Sequence, residues 1–221
     1  MIPLTQFPTN PKCQACELHT NAKNICVPTI HYEPSCTSAT AFVFIGQNPG
    51  FQEDAKNEPI IGKAGQYVRR VLCTPELNST TPPLNSLATI YFTNAARCTG
   101  PDPKAKHFNA CAPLYLWEDL NAIRVHHKQT ILFCLGRLPS AYVWKYLTGK
   151  KGKESVASYT KLNGSSFEHN TSFVATYHPA AMLKERSYHE SIVNHLRIAT
   201  DIIMNRRPPL TKPNIVKAFN P

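Results

Sequence analysis

Phe42-Val43-Phe44-Ile45 is an uninterrupted apolar run of two aromatic and two β-branched residues. A run of that length and make-up reads as a strand buried on both faces, the kind found in parallel sheets. It stops abruptly at Gly46-Gln47-Asn48-Pro49-Gly50, which must turn, because proline fixes φ and lacks an N–H while glycine lets another chain approach closely. Three further runs repeat the pattern: Leu87 to Asn94, Thr130 to Leu135 closed by Gly136, and Ser172 to Tyr177 ending at His178-Pro179. Helical spacing of apolar residues lies at about 65–73, 108–126, 137–147 and 187–204. Strands that alternate with helices predict an α/β fold, here a three-layer α/β/α sandwich around a central four-stranded parallel sheet. A single domain over residues 1–205 is expected, followed by an extended basic tail over 206–221 with Pro208, Pro209 and Pro213. Leu162-Asn163-Gly164-Ser165 reads as a hairpin turn within a Lys-, Gly- and Ser-rich stretch, 149–170, that breaks the alternation.

Open α/β sheets bind ligands at the carboxyl edge of their strands. Gln47, Asn48, Asn94 and His178 all fall on that edge. The partner is suggested by charge: 24 Lys and Arg stand against 14 Asp and Glu, a formal excess of +10 that suits a polyanion. No stretch approaches the ~20 apolar residues of a membrane span. Met1-Ile2-Pro3-Leu4-Thr5 carries neither a basic n-region nor an apolar core, so a cytoplasmic protein is expected.

Eight cysteines in such a chain argue for metal ligation or burial rather than a disulfide framework. Cys13-Gln14-Ala15-Cys16 is a local chelate, since two intervening residues let both sulfurs reach one centre. Cys98 and Cys111, separated by a Pro-rich loop, supply a second pair, and the four together suit zinc or a 4Fe–4S cluster. Cys134 lies inside an apolar strand and Cys73 on the apolar side of a helix, so both read as buried and inert. Nothing in the spacing of Cys26 or Cys36 recommends them as ligands.

Taken together, Gly46-Gln47-Asn48-Pro49-Gly50-x-x-Glu53-Asp54 and Glu58-Pro59-Ile60-Ile61-Gly62-Lys63-Ala64-Gly65 resemble the first motif of uracil-DNA glycosylases, most closely the iron–sulfur, family-four type. Thr93-Asn94-Ala95-Ala96-Arg97-Cys98 is similar to that group's second strand end, and Tyr177-His178-Pro179-Ala180 to its last motif. Cys13, Cys16, Cys98 and Cys111 match its four cluster ligands in order. The resemblance spans roughly residues 10–200 and implies a 4Fe–4S cluster, with zinc as the alternative. It departs at two places. Asn48 stands where family four usually has alanine or glycine, as in the mismatch-specific and single-strand-selective relatives. Ile60 stands where family four stacks a phenylalanine on uracil, which implies a differently shaped base pocket.

The resemblance implies catalysis by Asn48 and His178, and base binding by Gln47, Asn94 and Ile60. Breaking an N-glycosidic bond leaves an oxocarbenium-like sugar and an anionic base that must be held out of the helix. His178 can donate to the carbonyl oxygen where charge grows, Asn48 can position water, and Asn94 carries both a donor and an acceptor for a pyrimidine edge. Gln47 can contribute its backbone N–H. No lysine in these motifs offers an evident Schiff base, so a monofunctional hydrolase acting as a monomer on DNA is expected. Two rivals remain: a glycosylase for a modified pyrimidine in foreign DNA, and a non-catalytic protein that binds damaged or single-stranded DNA. Glu53 and Asp54 read either as part of the motif's chemistry or as turn caps. Lys63, Arg97, Lys104, Lys106 and Lys184 are candidate phosphate contacts, and Met182 or Leu183 a candidate wedge.

Overall fold

A computed structural model describes residues 7–32, 39–72, 84–153, 155–182, 185 and 187–206. Cys36, Cys73, Leu183, Lys184 and the tail beyond Arg206 lie outside the described residues, as does the side chain of Met182. Six strands form one sheet: β1 (Ile30–Tyr32), β2 (Thr40–Gly46), β3 (Thr89–Asn94), β4 (Gln129–Leu135), β5 (Ser165–Phe167) and β6 (Thr171–Thr176), in the order β1-β3-β2-β4-β6-β5. The four inner strands are mutually parallel. β1 and β5 pair antiparallel at the two edges, so the sheet has six strands rather than four. Both edge strands are three residues long and partly polar, too short to show a period. The hairpin turn also lies elsewhere than at 162–165: it joins β5 to β6 through His169 and Asn170, both at positive φ.

Side chains of the inner strands alternate between two cores, as the pleat requires. On one face Val43, Ile45, Leu132 and Phe173 pack with Phe108, Leu120, Ile123 and Val143. These come from helices α4 (Ala105–Cys111), α5 (Trp117–His126) and α6 (Arg137–Thr148). On the other face Phe42, Phe44, Phe133 and Val174 meet Val68, Val71, Ile192 and Leu196, contributed by α2 (Lys63–Leu72) and α9 (Ser187–Ile203). The result is the three-layer arrangement. Short helices α1 (Phe51–Lys56), α3 (Leu84–Leu87), α7 (Val156–Thr160) and α8 (Pro179–Met182) occupy the connections.

The predicted helix at 108–126 begins earlier, at Ala105, and is interrupted by a π-helical turn over Ala112–Leu116. Pro113 lies in that turn. Its missing N–H and ring clash would break an α-helix, and widening by one residue accommodates it. Among the described residues no helix is long and apolar enough to cross a membrane.

Candidate active site and thiol centre

β2 and β3 end in register, with Gly46 opposite Asn94. The pairing continues one step past the strands, where the N–H groups of Ala95 and Ala96 donate to the carbonyls of Gly46 and Gln47 at 2.9 Å each. Asn94 is thereby held at the carboxyl edge, buried, with its Oδ1 lying across Gly46. A Cβ at Gly46 would come within 2.3 Å of that oxygen and 3.5 Å of Ile60 Cδ1. Glycine at 46 therefore lets Asn94 and Ile60 converge at the end of β2.

Beside this point opens a cavity of about 640 Å³ lined by Gln47, Asn48, Pro49, Gly50, Phe51 and His178. Its opposite wall comes from Asn21 and the loop Thr99 to Pro103. Asn48 Nδ2 donates to the Pro49 carbonyl at 3.1 Å, which leaves Oδ1 as the amide's acceptor. His178 Nδ1 lies 3.2 Å from the Ala180 N–H and accepts from it. The imidazole proton then resides on Nε2, the tautomer that donates outward. Burial holds the His178 pKa below its ordinary value, so the ring is neutral at pH 7. Gly136, at φ +102°, ends β4 under His178: a Cβ there would lie 3.2 Å from His178 Cβ. In the sequence Gly136 marks only a strand end; its positive φ and this contact make it the floor on which the histidine rests.

Ile60 is buried at φ +55°, a left-handed conformation rare for a β-branched residue. Its carbonyl presses on Gly65, where a Cβ would meet that oxygen at 2.0 Å. Glu53 fixes the loop, accepting from the N–H groups of Ile61 and Gly62 at 3.1 and 2.7 Å. Asp54 accepts from the N–H groups of Lys23 and Asn24 at 2.9 and 3.0 Å. Both carboxylates thus hold loops in place.

The thiols gather around Cys98, the residue before Thr99. Cys98 and Cys111 are buried in the core cluster against which Cys13 and Cys16 pack. The N–H of Arg97 donates to Cys111 Sγ at 3.3 Å, and that of Cys26 to Cys98 Sγ at 3.4 Å. Burial pushes the Cys98 thiol up to about 11 and Cys111 to about 12. Cys26, which spacing alone did not recommend, joins this group: it is buried at φ +63°, and the Tyr115 hydroxyl lies within hydrogen-bonding reach of it and of Cys13. Among the described residues no three His, Cys, Asp or Glu side chains stand in the geometry of a single-ion site. Buried thiols from two segments, with backbone N–H groups aimed at their sulfurs, are the surroundings an iron–sulfur cluster takes. Glu17, one residue past Cys16, binds Lys106 at 2.6 Å and His107 at 3.3 Å, tying the first cysteine pair to the helix that carries Cys111. Cys134 is buried in β4, with its thiol pushed well up by burial.

Two candidate phosphate contacts are otherwise engaged. Arg97 is 1% exposed and paired with the fully buried Asp119, and it also donates to the Val27 carbonyl at 3.1 Å. Lys106 is held by Glu17. Lys63 and Lys104 are exposed, Lys104 lying 3.8 Å from Asp102.

The profile of the Uracil DNA glycosylase superfamily matches residues 34–197, and the chain belongs to this superfamily of DNA glycosylases. It is 26% identical over 206 residues to the Type-4 uracil-DNA glycosylase of Archaeoglobus fulgidus, covering 90% of this chain and 92% of the relative. It is 28% identical over 213 residues to that of Saccharolobus solfataricus, covering 93% and 87%. With that of Sulfurisphaera tokodaii it shares 29% over 184 residues, covering 78% and 70%.

Proposed function

We propose that this chain is a monofunctional, monomeric DNA glycosylase of the type-four group that hydrolyses the N-glycosidic bond of uracil or another altered pyrimidine and leaves an abasic site. The observation that carries this reading is the neutral His178, whose Nε2–H is fixed by the Ala180 hydrogen bond at the edge of the Gln47 and Asn48 cavity. As the bond breaks, negative charge grows on the base carbonyl, and a pre-aimed donor stabilises it without solvent reorganisation. Asn48 Oδ1 accepts from the water that attacks the sugar carbon; the already dissociating bond needs no strong base. Asn94 reads the pyrimidine edge through its amide, Gln47 contributes its backbone N–H, and Ile60, beside Gly46 at the end of β2, shapes the space for the base. Cys13, Cys16, Cys98 and Cys111 would hold a 4Fe–4S cluster, which fastens the N-terminal segment to the helix at 105–111 and supplies no step of the hydrolysis.

Ile60 favours a second reading of the substrate. An aliphatic side chain in place of a flat ring forfeits stacking on plain uracil, so a modified pyrimidine is the alternative target. The test is abasic-site formation on single- and double-stranded oligonucleotides carrying uracil, hypoxanthine, thymine opposite guanine, or hydroxymethylated or glucosylated cytosine. Cleavage at uracil supports the first reading and cleavage only at a modified base the second. DNA binding without turnover on any substrate would overturn both. His178→Ala should lower kcat by 10²–10³, the usual loss for one such donor.

A further inference from the structure

Two cavities meet at Phe51. Its ring is 86% exposed although it opens α1 directly after the turn Gly46 to Gly50. On one side it lines the cavity of Asn48 and His178. On the other it lines a separate cleft of about 270 Å³ with Gln52, Ala55, Lys56, Ile61 and Gln66. Full burial of a phenylalanine ring is worth about 1.5–3 kcal/mol, and this ring forgoes nearly all of it. The fold therefore gains little from an aromatic residue here.

We infer that Phe51 is a stacking platform for the nucleobase adjacent to the excised one, and that the cleft behind it receives that base from single-stranded DNA. The inference rests on the glycosylase reading, which puts the target nucleotide in the neighbouring cavity. With the target base in the first cavity, the next nucleotide lies within one step of a ring that lines both cavities. The ring offers a π-face that any base can cover, and such stacks are sequence-tolerant. The amides of Gln52 and Gln66 border the cleft and can meet either donors or acceptors on a base edge. Lys56 is exposed at the rim, available to the connecting phosphate. Glu58, the cleft's carboxylate, is engaged by Tyr32 at 3.1 Å and Arg69 at 3.5 Å. A base within a duplex is already stacked on both faces and paired along its edge, so the subsite rewards an unpaired strand.

The experiment compares wild type, Phe51→Ala and Phe51→Trp on single-stranded uracil oligonucleotides. The nucleotides flanking uracil are either normal or abasic tetrahydrofuran residues. Phe51→Ala should raise KM about tenfold on the normally flanked strand, the weight of one base–aromatic stack. On the abasic-flanked strand wild type and Phe51→Ala should coincide, and Phe51→Trp should behave as wild type on both. In parallel, 2-aminopurine beside the target should be quenched on binding wild type and left bright by Phe51→Ala. An equal effect of Phe51→Ala on both strands, or none on either, would overturn the inference. If wild type cleaves none of these strands, the uracil reading fails on its own account, and the 2-aminopurine signal still decides whether Phe51 stacks.

Discussion

Replacing Asp119 by alanine would leave the Arg97 guanidinium buried without its counter-charge. Both side chains are essentially inaccessible. The Asp119 carboxylate also accepts from the Thr29 hydroxyl. That hydroxyl lies 2.7 Å from the Thr93 hydroxyl, and with only one proton to give, Thr29 donates to the carboxylate and accepts from Thr93. Burial pushes the Asp119 carboxyl up against the downward pull of Arg97, so the pair gives back much of its attraction as desolvation. Removing one partner of such a pair costs about 3–5 kcal/mol, a large share of the ~5–15 kcal/mol a domain has in hand. For a chain of this length that is a fall in Tm of about 6–20 °C. Removing both charges should cost much less. Arg97 Nε and Asp119 Oδ1 are buried without a hydrogen-bond partner, so apolar groups would not sacrifice a fully satisfied network. Thermal unfolding of wild type, Asp119→Ala, Arg97→Met and Arg97→Met with Asp119→Ala supplies the double-mutant cycle. A loss below about 1 kcal/mol for Asp119→Ala, or a double variant as damaged as the sum of the singles, would refute the reasoning.

Gly46→Ala would drive a Cβ into Asn94 Oδ1. The amide must swing away, and kcat/KM should fall about a hundredfold with Tm within a few degrees of wild type. Finding the folded variant fully active would remove Asn94 from base binding. His195 is buried beside the Thr176 hydroxyl at 3.0 Å, and burial lowers its pKa from 6.5 to about 4. The unfolded chain then binds the extra proton first, so stability is full above pH 6.5 and declines as pH falls toward 4. The decline should amount to roughly 1–3 kcal/mol and be absent in His195→Gln; parallel pH profiles for the two proteins would contradict it.

Much of the fold was legible because the four inner strands are buried on both faces and therefore read as continuous apolar runs. Their chemical ends, at Gln47, Asn48, Asn94 and His178, followed from where those runs stop. What escaped depends on partners distant in sequence. Arg97 reads as a free cation until Asp119 is seen beside it. Asp54 reads as motif chemistry or a turn cap until its partners at Lys23 and Asn24 are known. Cys26 carries no spacing signal, because a loop at positive φ brings it to Cys98. β1 and β5 are three residues each, shorter than any hydrophobic period can mark.

The conformation of Ile60 has a consequence for how this pocket can change. A β-branched residue at φ +55° costs of order 1–3 kcal/mol, and here the loop is held by Glu53 and by the close seat of the Ile60 carbonyl on Gly65. The backbone path is thus set by groups other than the isoleucine side chain. If Ile60 faces the base as proposed, substitutions at position 60 reshape that site without rerouting the loop, and asparagine or glycine there would even relieve the chain. Position 60 is therefore one where a change of side chain alters stability through the backbone while the loop keeps its path.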